Sequence, residues 1–153
     1  MQPSARLREL GLTLPPAPQP VGSYIPGVRS GNWVLCSGQL PFVNGQLTAT
    51  GKVGRDVTLE AAQAAARQAA LNGLAIVAET AGGIDRLARI VRLAVFVNSA
   101  PGFVDQPKVA NGASDLMVQI FGEVGRHVRA AVGAAELPLN AAVEVEIVAE
   151  VQP

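Results

Sequence analysis

The segment from Val143 to Val151 constrains this chain more than any other. Val143, Val145, Ile147, Ala149 and Val151 alternate with Glu144, Glu146, Val148 and Glu150, a mostly two-residue period that marks a strand with two unlike faces. Such a strand belongs to a sheet with one face against an apolar layer. Residues 58 to about 80 are placed to provide that layer. Leu59-Glu60-Ala61-Ala62-Gln63-Ala64-Ala65-Ala66-Arg67-Gln68-Ala69-Ala70-Leu71 favours helix, and its alanines let the helix approach a sheet closely. Thr58 is a candidate cap, Glu60 suits the first turn, and Gly82-Gly83 stops the helix.

The other elements follow from local pattern. Tyr24–Val28 and Trp33–Ser37 read as short strands joined by a turn at Arg29-Ser30-Gly31-Asn32, and Asn44-Gly45 marks a second turn. Ile90–Val97 is a continuous apolar run that fits a central strand. A second helix is expected from about Val109 to Val124. Arg129 then opens a small, apolar run, and a Leu137-Pro138 turn leads into the alternating strand. The order is roughly β-β-α-β-α-β-β: a single α/β (α+β) domain over 1–153, one sheet with two long helices on one face. Residues 1–20 form a helix capped by Ser4 and ended by Gly11, then an extended arm holding Pro15, Pro16, Pro18 and Pro20 that straps the domain.

Composition narrows the function. With 12 basic and 12 acidic residues the net charge is zero, which argues against a nucleic-acid partner held on a basic face. The chain is 49% hydrophobic and only 16% charged, a surplus that points to apolar surface covered by other subunits. Cys36, the one cysteine, rules out an internal disulfide and fits a reducing compartment. There is no signal core and no run of bilayer length, so the expectation is a cytoplasmic protein without a membrane partner.

The chemical candidates are few. No Cys/His cluster has metal spacing, and neither a phosphate loop nor a dinucleotide fingerprint is present, so no cofactor is expected. His127, the sole histidine, reads as a solvated residue at a helix end, and Cys36 as buried filler in a strand. Arg129 presents a planar cationic fork that matches a carboxylate with two hydrogen bonds. Two readings of it stand side by side: an anion anchor, or a surface ion pair with Glu144 or Glu146 on the following strand. Tyr24 and Ser37 serve packing and turns equally well.

Gly22-Ser23-Tyr24, Gly31-Asn32, Cys36-Ser37-Gly38-Gln39-Leu40-Pro41, Val95-Phe96-Val97, and Arg129 followed by Leu137-Pro138 and Val143-Glu144-Val145-Glu146 together resemble the Rid (YjgF-type, L-PSP endoribonuclease-like) family from about Val21 to the C-terminus. The segment Leu7 to Pro15 resembles an addition carried by one subgroup. The resemblance implies a chorismate-mutase-like fold assembled as a homotrimer with clefts between subunits. It implies deamination of short-lived 2-imino acids or their enamines, such as 2-aminoacrylate, to 2-keto acids and ammonia. Arg129 would bind the substrate carboxylate and Glu144 would place the water, while Tyr24, Ser37, Gly38 and Asn111 match cleft positions. Two departures stand out: Ala130-Ala131 replaces a small polar pair, and extra residues lie between Gly102 and Ser114. The alternative is therefore a non-catalytic trimer that binds a small carboxylate or 2-keto acid. Ribonuclease activity ranks last on charge.

Overall fold

The computed structural model describes residues 1–18 and 22–153; Gln19, Pro20 and Val21, at the end of the expected arm, lie outside the described residues. The chain runs α1 (Pro3–Glu9), β1 (Gly27–Ser30), β2 (Trp33–Cys36), β3 (Phe42–Val43), β4 (Gln46–Leu47), α2 (Leu59–Ala81), β5 (Leu87–Asn98), α3 (Gln106–Phe121), β6 (Val128–Ala134) and β7 (Val143–Val151). Five strands form a mixed sheet in the order β1-β2-β7-β5-β6, with β5 and β6 parallel and the other pairs antiparallel.

The alternating segment is the middle strand of that sheet. Val143, Val145, Ile147, Ala149 and Val151 are fully buried on one face, beneath α2, while α3 lies over β5 and β6. Alanine decides how closely the helices sit. Ala62, Ala65, Ala66, Ala69 and Ala70 are all buried on α2. Where α3 crosses α2, a Cβ on Gly112 would stand 2.8 Å from the Gln63 carbonyl carbon, so this crossing has no room for a side chain. Thr58 caps α2 as expected, its hydroxyl accepting from the Ala61 amide at 3.1 Å, and Gly82 ends it in the left-handed conformation (φ 91°).

Several boundaries differ from expectation for identifiable reasons. The first strand starts at Gly27, not Tyr24, because Pro26 has no amide hydrogen to give the ladder. Its hairpin tightens to Gly31-Asn32, with Gly31 at φ 60°. Asn44 and Gly45, both at positive φ, turn the small β3–β4 hairpin, of which only the turn was legible. The second long helix starts three residues early, with Pro107 in its first turn, and Gly122 stops it. Ser4 does not cap α1. Gln2 takes the cap position, while the Ser4 amide and hydroxyl donate to Asp85 at 2.9 and 2.6 Å. That bond ties α1 to the turn before β5, and Leu7, Leu10, Leu12, Leu14 and Ala17 pack on the core, so the arm straps its own chain. Among the described residues no helix is long and apolar enough to cross a membrane.

Among the described residues no element covers the other face of the sheet. Strand register places Val28, Trp33, Leu35, Val148, Phe96, Val128 and Val132 there, with Glu144, Glu146, Glu150 and Arg92 among them. Trp33 is 49% and Val128 66% exposed. An apolar sheet face of this extent is unusual on a monomer.

Candidate functional site

Arg129 is the second residue of β6. Its parallel partner on β5 is Leu93, which is buried under the helices, so the pairing turns the arginine toward the helical face where α3 passes. There its Nη1 donates to Asn111 Oδ1 at 2.8 Å and to Ser114 Oγ at 3.1 Å, two side chains three residues apart on one face of α3. Both bonds use Nη1; among the described residues the Nε and Nη2 donors make none, which leaves an edge of the fork open for a carboxylate. Ser114, Val118, Arg126, His127 and Arg129 line a shallow cavity of about 200 Å³ beside it.

The expected proximity of Arg129 to Glu144 and Glu146 does not occur within one chain. Leu93 on β5 lies between Arg129 and Ile147 of β7, and the glutamates project from the opposite face. Neither ion pair forms. Strands consecutive in sequence are not neighbours in space here, because the parallel β5–β6 pairing inserts β5 between β6 and β7.

Glu144 belongs to a second group at the other side. After β2 the chain runs on beside β7 and exchanges Gln39–Val145 backbone hydrogen bonds of 2.8 and 2.9 Å, which sets Gly38 directly over Glu144. A Cβ on Gly38 would come 2.7 Å from the Glu144 carboxyl carbon, so a side chain here would have to push that carboxylate aside. The Ser37 amide and hydroxyl donate to the Pro26 carbonyl at 2.7 and 3.0 Å, holding the segment that carries Tyr24, which is exposed. The structure thus brings Ser37, Gly38 and Glu144 together, ties Ser37 to Pro26 two residues after Tyr24, and separately joins Arg129 to Asn111.

Partial burial raises the Glu144 pKa, and the nearby Glu146 raises it further. A carboxyl whose folded pKa is raised favours the protein when protonated, and that contribution is lost as pH rises through the raised value. Glu144→Gln is therefore expected to melt higher than wild type at pH 8, with the difference narrowing as pH falls into the carboxylate range. Thermal unfolding at the two pH values checks this; a lower Tm for the variant at pH 8 would contradict it.

Two residues missed by the sequence reading complete the arginine's surroundings. His127 is half-buried, not solvated, and both ring nitrogens are engaged: Nε2 with Ser114 Oγ at 2.9 Å and Nδ1 with the Gly125 carbonyl at 2.7 Å. Burial first, and then the charge of Arg129, hold its pKa below the ordinary histidine value against the opposing Gly125 bond. The available signals were the three-residue step from Asn111 to Ser114 and the two-residue step from His127 to Arg129. Of the Ala130-Ala131 pair, Ala131 shares Arg129's face and Ala130 lies on the open one. Cys36 is in the core, where burial pushes its thiol up to about 11, so it is a poor nucleophile.

A larger cavity of about 660 Å³ lies between the proline arm, the β3–β4 hairpin and α2. It is lined by no ionisable group but Asn72, Gln68 and Gln39 amides, and Asn72 already donates to the Leu40 and Phe42 carbonyls.

Comparison with known proteins agrees with the architecture. Residues 4–151 match the family described as "YjgF/chorismate_mutase-like, putative endoribonuclease". The chain is 47% identical over 148 residues to Protein TCP17 of Trypanosoma cruzi, covering 96% of this chain and 92% of that protein. It is 33% identical over 142 residues to a 2-iminobutanoate/2-iminopropanoate deaminase of Dermatophagoides farinae, covering 92% and 95%. The crystal structure of protein Atu1372 from Agrobacterium tumefaciens superposes with a TM-score of 0.90 at 47% identity, over 98% of this chain and 92% of that one. The chain belongs to the YjgF family and has its chorismate-mutase-like fold.

Proposed function

We propose that this protein is an enamine/imine deaminase that hydrolyses short-lived 2-imino acids to 2-keto acids and ammonia, in clefts between the subunits of a cytoplasmic homotrimer. The observation that carries the reading is the division of the site. Arg129 with Asn111, and Glu144 with Gly38 and Ser37, lie on opposite faces of the sheet with β5 between them. A neighbouring copy seated on the uncovered sheet face would bring one group of its own against the complementary group of the first chain, and would bury Trp33, Leu35 and Val132 at the same time. The deaminase among the relatives supports the substrate class.

The chemistry asks little of the protein. The imine carbon is already electrophilic, so orientation and a placed water suffice. Arg129 anchors the carboxylate through its free edge. Glu144 orients the water, takes one of its protons as oxygen bonds to carbon and passes it to the imine nitrogen; the hydroxyl of the resulting carbinolamine then gives its proton through Glu144 to the same nitrogen as the carbonyl forms and the carbon–nitrogen bond breaks, and ammonia leaves the 2-keto acid. Burial and the nearby Glu146 raise its pKa, which makes the Glu144 carboxylate a stronger proton acceptor than an ordinary one.

Ala130-Ala131 favours one competing reading, a trimer that binds small carboxylates without turnover. Imines generated in situ by amino-acid oxidation separate the two: the deaminase removes them faster than buffer alone, whereas the binding protein leaves the rate unchanged while still binding 2-oxobutanoate. The expected result is acceleration, with a solution mass of three chains. A stable monomer would sink the intersubunit site.

A further inference from the structure

The polar groups around Arg129 form a chain with a fixed direction. The Gly125 carbonyl can only accept, so the His127 Nδ1 at 2.7 Å carries the hydrogen. In the neutral ring Nε2 is then an acceptor, and the Ser114 hydroxyl at 2.9 Å donates to it. The Ser114 oxygen is left with its lone pairs toward Arg129 Nη1 at 3.1 Å, and Asn111 Oδ1 takes the same nitrogen at 2.8 Å. Every hydrogen has one place to go. The result is an arginine held by one nitrogen, with its other edge presented outward.

We propose that Ser114 and His127 are positioning residues for the carboxylate anchor, and that carboxylate binding at Arg129 is coupled to protonation of His127 through this hydrogen-bond chain. The inference rests on the reading of Arg129 as the anchor. Ser114 supplies from α3 a hydroxyl beside the arginine, in a chain where residues 130 and 131 are alanines.

The coupling has a definite sign. The charged groups near His127 are Arg129 two residues on in β6, Arg126 before it with Glu123 at 4.0 Å from that arginine, and Arg89 of β5, whose Nη2 donates to the Arg126 carbonyl at 3.0 Å. α3 faces the ring with the uncharged Ser114 and Val118, and Asp115 beside them is exposed. Arg129 opposes protonation of the ring. A bound carboxylate offsets that charge, so it makes His127 easier to protonate, and by reciprocity protonated His127 binds the carboxylate more tightly. A 2-keto acid stays ionised across the range where histidine titrates, so the ligand's own titration does not intrude.

As the sole histidine, His127 gives a single set of ring signals. Nitrogen-15 NMR of the intact protein is expected to show the Nδ1–H tautomer and a pKa below the ordinary histidine value. Arg129→Gln should raise that pKa, and Ser114→Ala should shift the Nε2 resonance. With 2-oxobutanoate as the probe, the wild-type ring pKa should rise and the dissociation constant should fall roughly threefold from pH 8 to pH 5, the linked counterpart of a pKa shift of about half a unit. His127→Gln removes the titrating ring, so its 2-oxobutanoate affinity should no longer change between pH 8 and pH 5. Ser114→Ala should weaken binding about three- to tenfold, the loss of one hydrogen bond. A ring that titrates at the ordinary value and ignores Arg129→Gln overturns the hydrogen-bond chain, whatever the ligand does. Binding that depends on Arg129 but leaves His127 unmoved overturns the coupling and spares the anchor. If the wild type binds no 2-oxobutanoate, the carboxylate reading and the coupling fall together.

Discussion

Arg129→Ala is expected to abolish recognition of 2-oxobutanoate, with the dissociation constant rising at least about 100-fold. A two-pronged, charge-assisted contact is worth about 3 kcal/mol or more when it anchors a ligand, and tenfold in affinity corresponds to about 1.4 kcal/mol. Arg129→Lys keeps the charge but loses the planar fork, so about a tenfold loss is expected. The protein itself should hardly notice. Arg129 is exposed and forms no ion pair among the described residues, so its removal should change unfolding free energy by no more than about 0.5 kcal/mol. Titration calorimetry beside thermal unfolding separates the two effects. Imine hydrolysis should vanish with binding; turnover that survives in Arg129→Ala with unchanged KM would mean that the substrate is held elsewhere.

The contrast between Arg129 and Glu144 shows where sequence was informative. Glu144 declared its surroundings through the alternation on β7, since a period of two places it opposite a buried row whatever the neighbours are. The two long helices, the caps of α2 and the turn residues were equally legible, because Thr58, Gly82, Gly31 and the Asn44-Gly45 pair act through local backbone geometry. Arg129 was legible as a chemical group and not as a location. Its strand neighbour is set by the crossover through α3, which makes β6 run parallel to β5 and keeps it off β7. Nothing within the 25 residues from Arg129 to Pro153 records that choice.

The same limit applies to His127 and Ser114. Each is unremarkable beside its own neighbours, and the meaning of each depends on how α3 lies across the start of β6. The Gly122–Gly125 turn between them brings the chain back, with Gly125 packed so tightly on Met117 and Phe121 that a Cβ there would come 2.9 Å from the Met117 carbonyl carbon. Hydrogen-bond geometry at His127 is therefore a product of backbone packing several residues away, and residue type alone does not carry it.

Gly112→Ala should expose that dependence most sharply. In an ordinary helix interior the change to alanine stabilises by about 1 kcal/mol, because glycine gives up more backbone freedom on folding. Here the sign should reverse. The new Cβ would meet the Gln63 carbonyl of α2, a backbone group that cannot rotate away, so α3 must move off α2 or bend. Overpacking of this kind costs about 1–3 kcal/mol, occasionally more, which outweighs the propensity gain. Gly112 also lies between Asn111 and Ser114, the two side chains that hold Arg129 Nη1. Displacing α3 should therefore loosen the anchor, and 2-oxobutanoate affinity should fall together with stability. Chemical denaturation and ligand titration on one preparation test both consequences. A Gly112→Ala protein as stable as wild type or more so would mean that the helices part without cost; lowered stability with unchanged affinity would mean that Asn111 and Ser114 do not position the arginine.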